Sequence, residues 1–372
     1  MVRQKTMGII FANMHDAAVS SMTVDRALGA LPFGGRFRMI DFCLSSLVSG
    51  GVTDVGIIMK ENYHSLMAHV GAGKEWDLAR KLEGLSIYPP FAGTSFGTAY
   101  HGRVDALYNV IPYLQNASAK YAILMDCDHV CNLDIGSFVN NHIESDADVS
   151  ILCYKQPGAD GKDNVQLTLD NDNRVNQLFY NVEMRENSYT SMNVMVMERL
   201  MLLRYIEEAH SHHLGTFERD VLQPMLNDIH VRGEVFEDFV MKICSMKSYF
   251  HANMSLLDSD NRARLFLSDR PVFTKVNDDA PVRYGIDSKV TNSLIADGCV
   301  VEGEVENSVL FRGVKVGPDA IVKNSIVMQD TLIMGSAFLD YVIADKRVEI
   351  SSGRSLKGDY NYPLYIQKNS RF

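Results

Sequence analysis

The stretch Val314-Lys315-Val316-Gly317-Pro318-Asp319-Ala320-Ile321-Val322-Lys323-Asn324-Ser325-Ile326-Val327-Met328 places its apolar residues neither every two positions nor every 3.6. They recur every six. Val314, Ala320, Ile326, Leu332 and Phe338 form one stripe, and Val316, Val322, Met328 and Met334 form a second, two residues out of phase. The tetrads Asn292-Ser293-Leu294-Ile295, Asn307-Ser308-Val309-Leu310 and Asn324-Ser325-Ile326-Val327 repeat at spacings of 15 and 17. A six-residue period marks a parallel β-helix, in which each hexapeptide forms one wall of a triangular coil and turns its apolar residue inward. A β-sandwich would show period two, with turns about every 8–12 residues. Residues 284–372 are therefore read as a hexapeptide-repeat domain, joined by a linker over 258–283 to a first domain over 1–257.

That first domain is patterned differently. Short apolar runs alternate with helical ones, as in β-α-β units around a mainly parallel sheet. The pattern predicts strands over 7–11 and 54–59 with a helix between them over about 41–49, then helices over 62–69 and 103–114. A buried strand over 121–125 ends in Asp126-Cys127-Asp128-His129, and a helix around 133–143 and a strand over 149–154 follow. From Gln166 to Met197 the residues alternate around a hairpin turn at Asp170-Asn171-Asp172-Asn173. The sheet is mixed and the fold class is α/β.

A length of 372 residues suits two domains with sizeable cores. Lys and Arg number 36 against 46 Asp and Glu, a net charge of −10 with no basic run. The electrostatic footprint of a duplex-binding protein is missing, so no nucleic-acid partner is expected. No apolar stretch approaches the roughly 18 residues of a membrane helix, and the apolar run from Met7 to Ala12 is too short for a signal-peptide core. A cytoplasmic protein without membrane association is expected. Cys43, Cys127, Cys131, Cys153, Cys244 and Cys299 form no paired framework and read as packing residues.

Parallel sheets bind ligands at the carboxyl ends of their strands, which directs attention to Asp126-x-Asp128. Two carboxylates at that spacing can hold Mg²⁺ against a nucleotide's phosphates, or one can cap the helix near Leu133; the spacing alone does not choose. Cys127-x-His129-x-Cys131 has soft-ligand types but lacks a fourth donor for zinc. His210-Ser211-His212-His213 reads as the solvent-exposed end of a helix, where histidines suit the dipole. In Pro32-Phe33-Gly34-Gly35-Arg36-Phe37-Arg38-Met39-Ile40-Asp41, the paired glycines allow close approach of a ligand or a turn at positive φ, and Arg36 and Arg38 can meet phosphate. A structural turn into a helix at Asp41 explains the same glycines. Gly71, Gly73 and Gly97 read as turns.

The run from Pro32 to Phe42, Tyr100-His101-Gly102 with Asp105-Ala106, the Asp128-His129 pair and the terminal hexapeptide coil resemble the glucose-1-phosphate adenylyltransferase (ADP-glucose pyrophosphorylase) family. The resemblance covers essentially the whole chain in the right order. It implies a nucleotidyltransferase (Rossmann-like, GT-A-like) mixed-sheet domain followed by a C-terminal left-handed parallel β-helix. The implied reaction joins ATP and glucose 1-phosphate into ADP-glucose and pyrophosphate for glycogen or starch synthesis, in tetramers under metabolite control. It also implies a binding pocket at Gly34, Gly35, Arg36, Tyr100, Gly102, Asp105 and Ser191, with Asp128 as a metal carboxylate.

Against that family the chain departs where its chemistry is most demanding. The family's glycine-rich phosphate loop, of the form Ala-Gly-Gly-x-Gly-Ser/Thr-Arg-Leu, falls on Ala12 to Val19, so Asn13, Met14 and Asp16 replace glycines and Ala18 replaces an arginine. Side chains then intrude where backbone N–H groups would cradle phosphate. A basic residue falls at Gly29, the sugar-phosphate lysine at Asn181, and the second metal aspartate at Lys242. Catalysis of such an in-line attack is positioning and charge neutralisation, and each lost contact removes on the order of 2–4 kcal/mol of transition-state stabilisation. The pattern resembles the GlgD-type companion subunit of that enzyme. Such a subunit would have little or no activity alone and no required cofactor. Mg²⁺ is then expected only in the catalytic partner, or at Asp128 if here at all. It would assemble with a catalytic paralogue, as a heterotetramer, and raise its activity or change its metabolite response; alone it would form homo-oligomers. Two other expectations are a weakly active or altered-specificity sugar-1-phosphate nucleotidyltransferase, and a subunit that senses nucleotide or sugar phosphate without turnover.

Overall fold

The computed structural model describes residues 5–89, 102–155, 164–183 and 185–372. Tyr100, His101 and Gly97 lie outside the described residues. The first domain is built on a nine-stranded mixed sheet. Its order runs Val175–Tyr180, Val165–Leu169, Tyr189–Glu198, Tyr121–Asp126, Thr6–Phe11, Asp54–Ile58, Gly84–Tyr88, and Val149–Tyr154 carries Val231–Val235 off the Tyr189–Glu198 strand. Thr6–Phe11 pairs in parallel with both Tyr121–Asp126 and Asp54–Ile58, whereas Tyr189–Glu198 runs antiparallel to its neighbours. Strand side chains alternate between faces. Ile10, Ile57, Ile123 and Met125 join the core on one side, and Met7, Ile9, Phe11 and Leu124 the core on the other.

The predicted strands and the hairpin after Leu169 are present. The helix predicted over 103–114 is instead two, Arg103–Tyr108 and Ile111–Asn116. Pro112 suits the first turn of a helix but cannot continue one, because its ring excludes the preceding residues from helical geometry. The strand Gly84–Tyr88, parallel to Asp54–Ile58, has no counterpart in the sequence reading.

The second domain is the expected β-helix, of three five-stranded parallel sheets. Tyr284, Val301, Val316, Ile333 and Ile350 stack in one, Val290, Val305, Val322, Leu339 and Leu356 in the second, and Ile295, Leu310, Val327, Ala344 and Ile366 in the third. The first three corners before the third sheet are left-handed Asn residues, with φ of 42° at Asn292, 45° at Asn307 and 46° at Asn324, a conformation that asparagine tolerates, and the fourth is Tyr341 at 54°. Because these coils take 15 or 17 residues rather than 18, the inward stripe steps from Val322 to Val327, Ile333 and Leu339. The strict six-residue stripes are therefore corrected beyond Val322. Ile326 and Met328 face outward and are buried in the first domain's core together with Val309, Phe311 and Ile343, and Leu332, Met334 and Phe338 are half-buried.

One hydrophobic core thus crosses between the domains. The segment 258–283 contributes to it, since it opens with the helix Ser259–Leu265, whose Leu265 is buried, and Phe266 stacks on Phe37 at 5.0 Å.

Candidate functional site

The wholly buried strand Tyr121–Asp126 delivers Asp126 at its carboxyl end, beside Phe11. The chain turns through Asp128 into His129–Cys131, which pairs antiparallel with Val240–Lys242 so that Lys242 lies opposite His129. Neither aspartate caps the next helix; Asp134 does, accepting from the Ser137 backbone N–H at 2.9 Å.

Four nitrogen groups surround the Asp128 carboxylate. Its Oδ1 meets His129 Nδ1 at 2.8 Å, and its Oδ2 meets Asn193 Nδ2 at 3.0 Å, His15 Nε2 at 3.6 Å and Lys242 Nζ at 3.9 Å. Burial alone would raise this carboxyl, yet His129, His15 and Lys242 hold it well below the usual carboxylate range. Asp126 Oδ2 accepts from Arg103 Nη2 at 2.7 Å and from His15 Nε2 at 2.7 Å, and Arg103 also pairs with Glu218. Burial would lower His15, but Asp128 and Asp126 together raise it above its ordinary value.

His15, Asp126 and Asp128 bring one ligand atom each within 4.8 Å of one another. The residues present do not fit a magnesium ion. Mg²⁺ demands a near-octahedral shell of oxygens and keeps several waters. Here a nitrogen is the third donor, and of the four carboxylate oxygens only the buried Asp126 Oδ1 is left without a hydrogen-bond partner, the others being held by Arg103, Lys242, Asn193 and the two imidazoles. The protein's own cations stand where a divalent ion would have to enter. The zinc-type triplet is not assembled either: Cys127 Sγ lies 3.9 Å from Cys43 Sγ, and His129 is turned to Asp128.

Met14, His15, Lys60, Gly102, Tyr180 and Asn193 line a cleft above these groups. Of the three residues replacing loop glycines, only Met14 intrudes into it. Asn13 is turned into the neighbouring loop, accepting from Lys60 N at 2.8 Å and donating to Glu61 O. Asp16 folds back to accept from Leu28 N at 2.7 Å, and burial pushes its carboxyl up to about 7. Ala18 is exposed. Gly29 is a site of close approach, its N–H bonded to Ala12 O at 2.8 Å with Cys127 Sγ packed alongside.

Several expected pocket residues lie elsewhere. Gly34 and Gly35, at φ of 58° and 85°, turn the short hairpin Pro32–Phe33 with Phe37–Arg38. Gly34 N donates to Asn253 Oδ1, and Gly35 sits against Leu310 O and Ala296 of the β-helix. This run, with Arg36, belongs to the joint between domains, where the turn takes the glycines' positive φ and Arg36 and Arg38 line a polar cleft with Lys275 and Arg312. Asp105 faces the helix Arg199–Ser211, 3.8 Å from His210 Nδ1. His210 itself stacks on Tyr108 at 3.5 Å and so is not simply in solvent. Ser191 is buried, its Oγ accepting from Asn193 N. Asn181 binds back to Asn164, and the neighbouring Tyr180 reaches the cleft in its stead. Gly102 does line the cleft, and a Cβ there would collide with Gly215 O. Sequence reasoning missed His15 and Asn193. Asn193, at φ 55° in a bulge of Tyr189–Glu198, was signalled only as one amide inside a run of Met and Val.

A nucleotidyl transferase family profile matches residues 19–259, and a GlmU-like C-terminal hexapeptide profile matches residues 276–361. The fold and the carboxylates at the strand ends thus define a nucleotidyl transferase with a β-helix appended. The chain is 34% identical to the glycogen biosynthesis protein GlgD of Geobacillus stearothermophilus, over 86% of this chain and 84% of that protein. It is 31% identical to GlgD of Bacillus subtilis (strain 168), over 99% and 97%. It is also 31% identical to a glucose-1-phosphate adenylyltransferase of Clostridium botulinum (strain Alaska E43 / Type E3), over 88% and 85%. The chain belongs to the nucleotidyl transferase family and, within it, to the group formed by glucose-1-phosphate adenylyltransferases and GlgD proteins. Among the described residues no helix is long and apolar enough to cross a membrane.

Proposed function

We propose that this protein is a GlgD-type companion subunit in glycogen biosynthesis, with little or no transferase activity of its own. It assembles in the cytoplasm with a catalytic paralogue that makes ADP-glucose from ATP and glucose 1-phosphate, and raises that partner's activity or changes its effector response. The observation that carries this reading is Lys242, buried 3.9 Å from Asp128 Oδ2, where an adenylyl transfer needs a divalent cation; magnesium then belongs to the partner. A core shared by the two domains supports assembly as the retained role. Coupling acts by favouring the partner's active conformation. Mixing purified subunits tests it: the mixture turns over faster than the catalytic chain alone, or responds differently to effectors, and equal rates with equal responses sink the proposal.

A second reading draws on the match to the Clostridium botulinum adenylyltransferase and on the open cleft beside Lys60 and Tyr180: slow transfer by this chain itself. It requires magnesium-dependent pyrophosphate release by the isolated protein that Asp128→Ala abolishes.

A further inference from the structure

Arg103 carries two ion pairs that reach in different directions. Its Nη2 donates to Asp126 Oδ2 at 2.7 Å, at the end of the strand Tyr121–Asp126, and its Nη1 pairs with Glu218 in the widened helical turn Phe217–Leu222. The guanidinium lies over the Phe11 ring, 5.0 Å from its centroid. From Asp126 the chain of charges runs on through His15 Nε2, 2.7 Å from Asp126 Oδ2 and 3.6 Å from Asp128 Oδ2, to Lys242. The side chains of Arg103, Glu218 and Lys242 are 6%, 8% and 7% exposed, and those of Asp126 and Asp128 are wholly buried. Two walls of the cleft are also in backbone contact. Val104 N donates to Gly215 O at 3.2 Å, Gly215 N and Thr216 N donate to Asp220 Oδ2 at 3.2 and 2.9 Å, and Asp220 N donates to Thr216 O at 2.8 Å.

A guanidinium that bridges two carboxylates fixes the orientation of both, and a buried charge that loses its partner is heavily penalised. Any movement that parts one of these pairs is therefore opposed. We propose that this internal ion chain, with Arg103 as its keystone, takes the place of a ligand in ordering the cleft. The loop that carries His15, the start of the helix Arg103–Tyr108 and the turn over 215–220 then hold one arrangement, whether or not a nucleotide or a sugar phosphate is supplied. A ligand shifts a conformational equilibrium only by its differential affinity for two states, and a cleft fixed from within offers it a single state. In an assembly this cleft contributes a constant conformational bias instead of a response to nucleotide. The inference concerns this chain alone and does not depend on the companion-subunit reading.

Hydrogen–deuterium exchange on the full-length protein tests it, because amide exchange reports the opening of the segment that carries each amide. In the wild type the amides of Val104, Gly215, Thr216 and Asp220 exchange slowly, and millimolar ATP or glucose 1-phosphate, with magnesium or with a chelator, leaves their rates unchanged. Glu218→Gln keeps the shape of the side chain and removes one link. It raises those rates about tenfold or more and leaves the β-helix amides of Ile321 and Leu332, bonded to Ala337 O and Val348 O, at wild-type rates, which separates local release from misfolding. Arg103→Ala cuts both links and extends the release to Ala18 N, which is bonded to His15 O at 3.0 Å; where that variant does not fold, Glu218→Gln decides by itself. Wild-type amides that exchange quickly until ATP or glucose 1-phosphate slows them overturn the proposal. So does a Glu218→Gln variant with wild-type rates or with both domains accelerated alike, and so does a folded Arg103→Ala variant in which Ala18 stays protected. Activation of a catalytic paralogue is read in a separate assay, so either idea can fail alone.

Discussion

Lys242 is the group at Asp128 that a single substitution can turn into a ligand. In Lys242→Asp, two buried carboxylates would face one another. Removing one partner of a buried pair costs about 3–5 kcal/mol, and the second carboxylate adds repulsion to that while His129, His15 and Asn193 still hold Asp128, so a loss of at least about 3 kcal/mol is expected. Millimolar magnesium should recover part of that loss in the variant and leave the wild-type melting temperature unmoved. Thermal scans with and without the ion check both halves, and magnesium stabilisation of the wild type would refute the account of the donor set. His142 gives a pH signature away from the cleft. Its Nδ1 meets Ser150 Oγ at 2.9 Å, its ring lies edge-on to Tyr121, and burial pushes its pKa down to about 4. The unfolded chain takes up this proton near pH 6.5 and the folded chain only near 4. Stability present above pH 6.5 is therefore lost as pH falls through this window, at no more than about 1.4 kcal/mol per unit. His142→Gln should flatten that limb of a urea-denaturation series, and an unchanged slope would show that another group sets it.

At the scale of elements, serines inside the β-helix corners tie coil to coil. Ser308 N bonds to Ser293 Oγ, Ser325 N to Ser308 Oγ and Val342 N to Ser325 Oγ, each at 3.1 Å. Ser325 is wholly buried while Ser293 belongs to the open first coil. Ser325→Ala should cost about 1–3 kcal/mol because a buried amide loses its acceptor, and Ser293→Ala well under that; equal losses in chemical denaturation would contradict the ladder. The six-residue period was legible because successive walls repeat one environment. The slip from Ile326 to Val327 was not, although the tetrad spacings of 15 and 17 carried it, because a stripe averages over corners of unequal length. Gly34 and Gly35 stayed open for a related reason: positive φ is needed equally by a ligand loop and by a hairpin, and the contacts that pin the turn, to Asn253 and Leu310, lie far away in sequence. Asp126 and Asp128 could be placed because a strand end is a local feature. Asn193 depends on a bulge, and the contact of Lys242 on the pairing of two distant strands, so no local pattern exposes either geometry.

At the scale of the whole molecule, the two domains share a buried charge cluster as well as a core. Arg26 pairs with Asp345 of the β-helix, and Tyr365 donates to the same carboxylate at 2.6 Å. Arg26 Nε is also bonded to Met22 O, and Thr23 Oγ to Asp16 O, so a short run of chain links this joint to the loop that carries His15. Burial, with Arg38 and Arg26 close by, pushes the Lys346 ammonium down to about 7. Asp345 is therefore the anion that lets several cations crowd the joint. Asp345→Ala should cost about 3–5 kcal/mol by leaving Arg26 buried without a partner. Because the loss falls between the domains, the single calorimetric transition expected of two domains sharing a core should split in two. Removing both charges, with Arg26→Met and Asp345→Leu, should recover most of the stability, since apolar replacement of a whole buried pair is often neutral. If Asp345→Ala lowers the melting temperature without splitting the transition, the domains are coupled by the shared apolar core of Phe311, Ile326 and Met328, and the ion pair adds stability without setting that coupling.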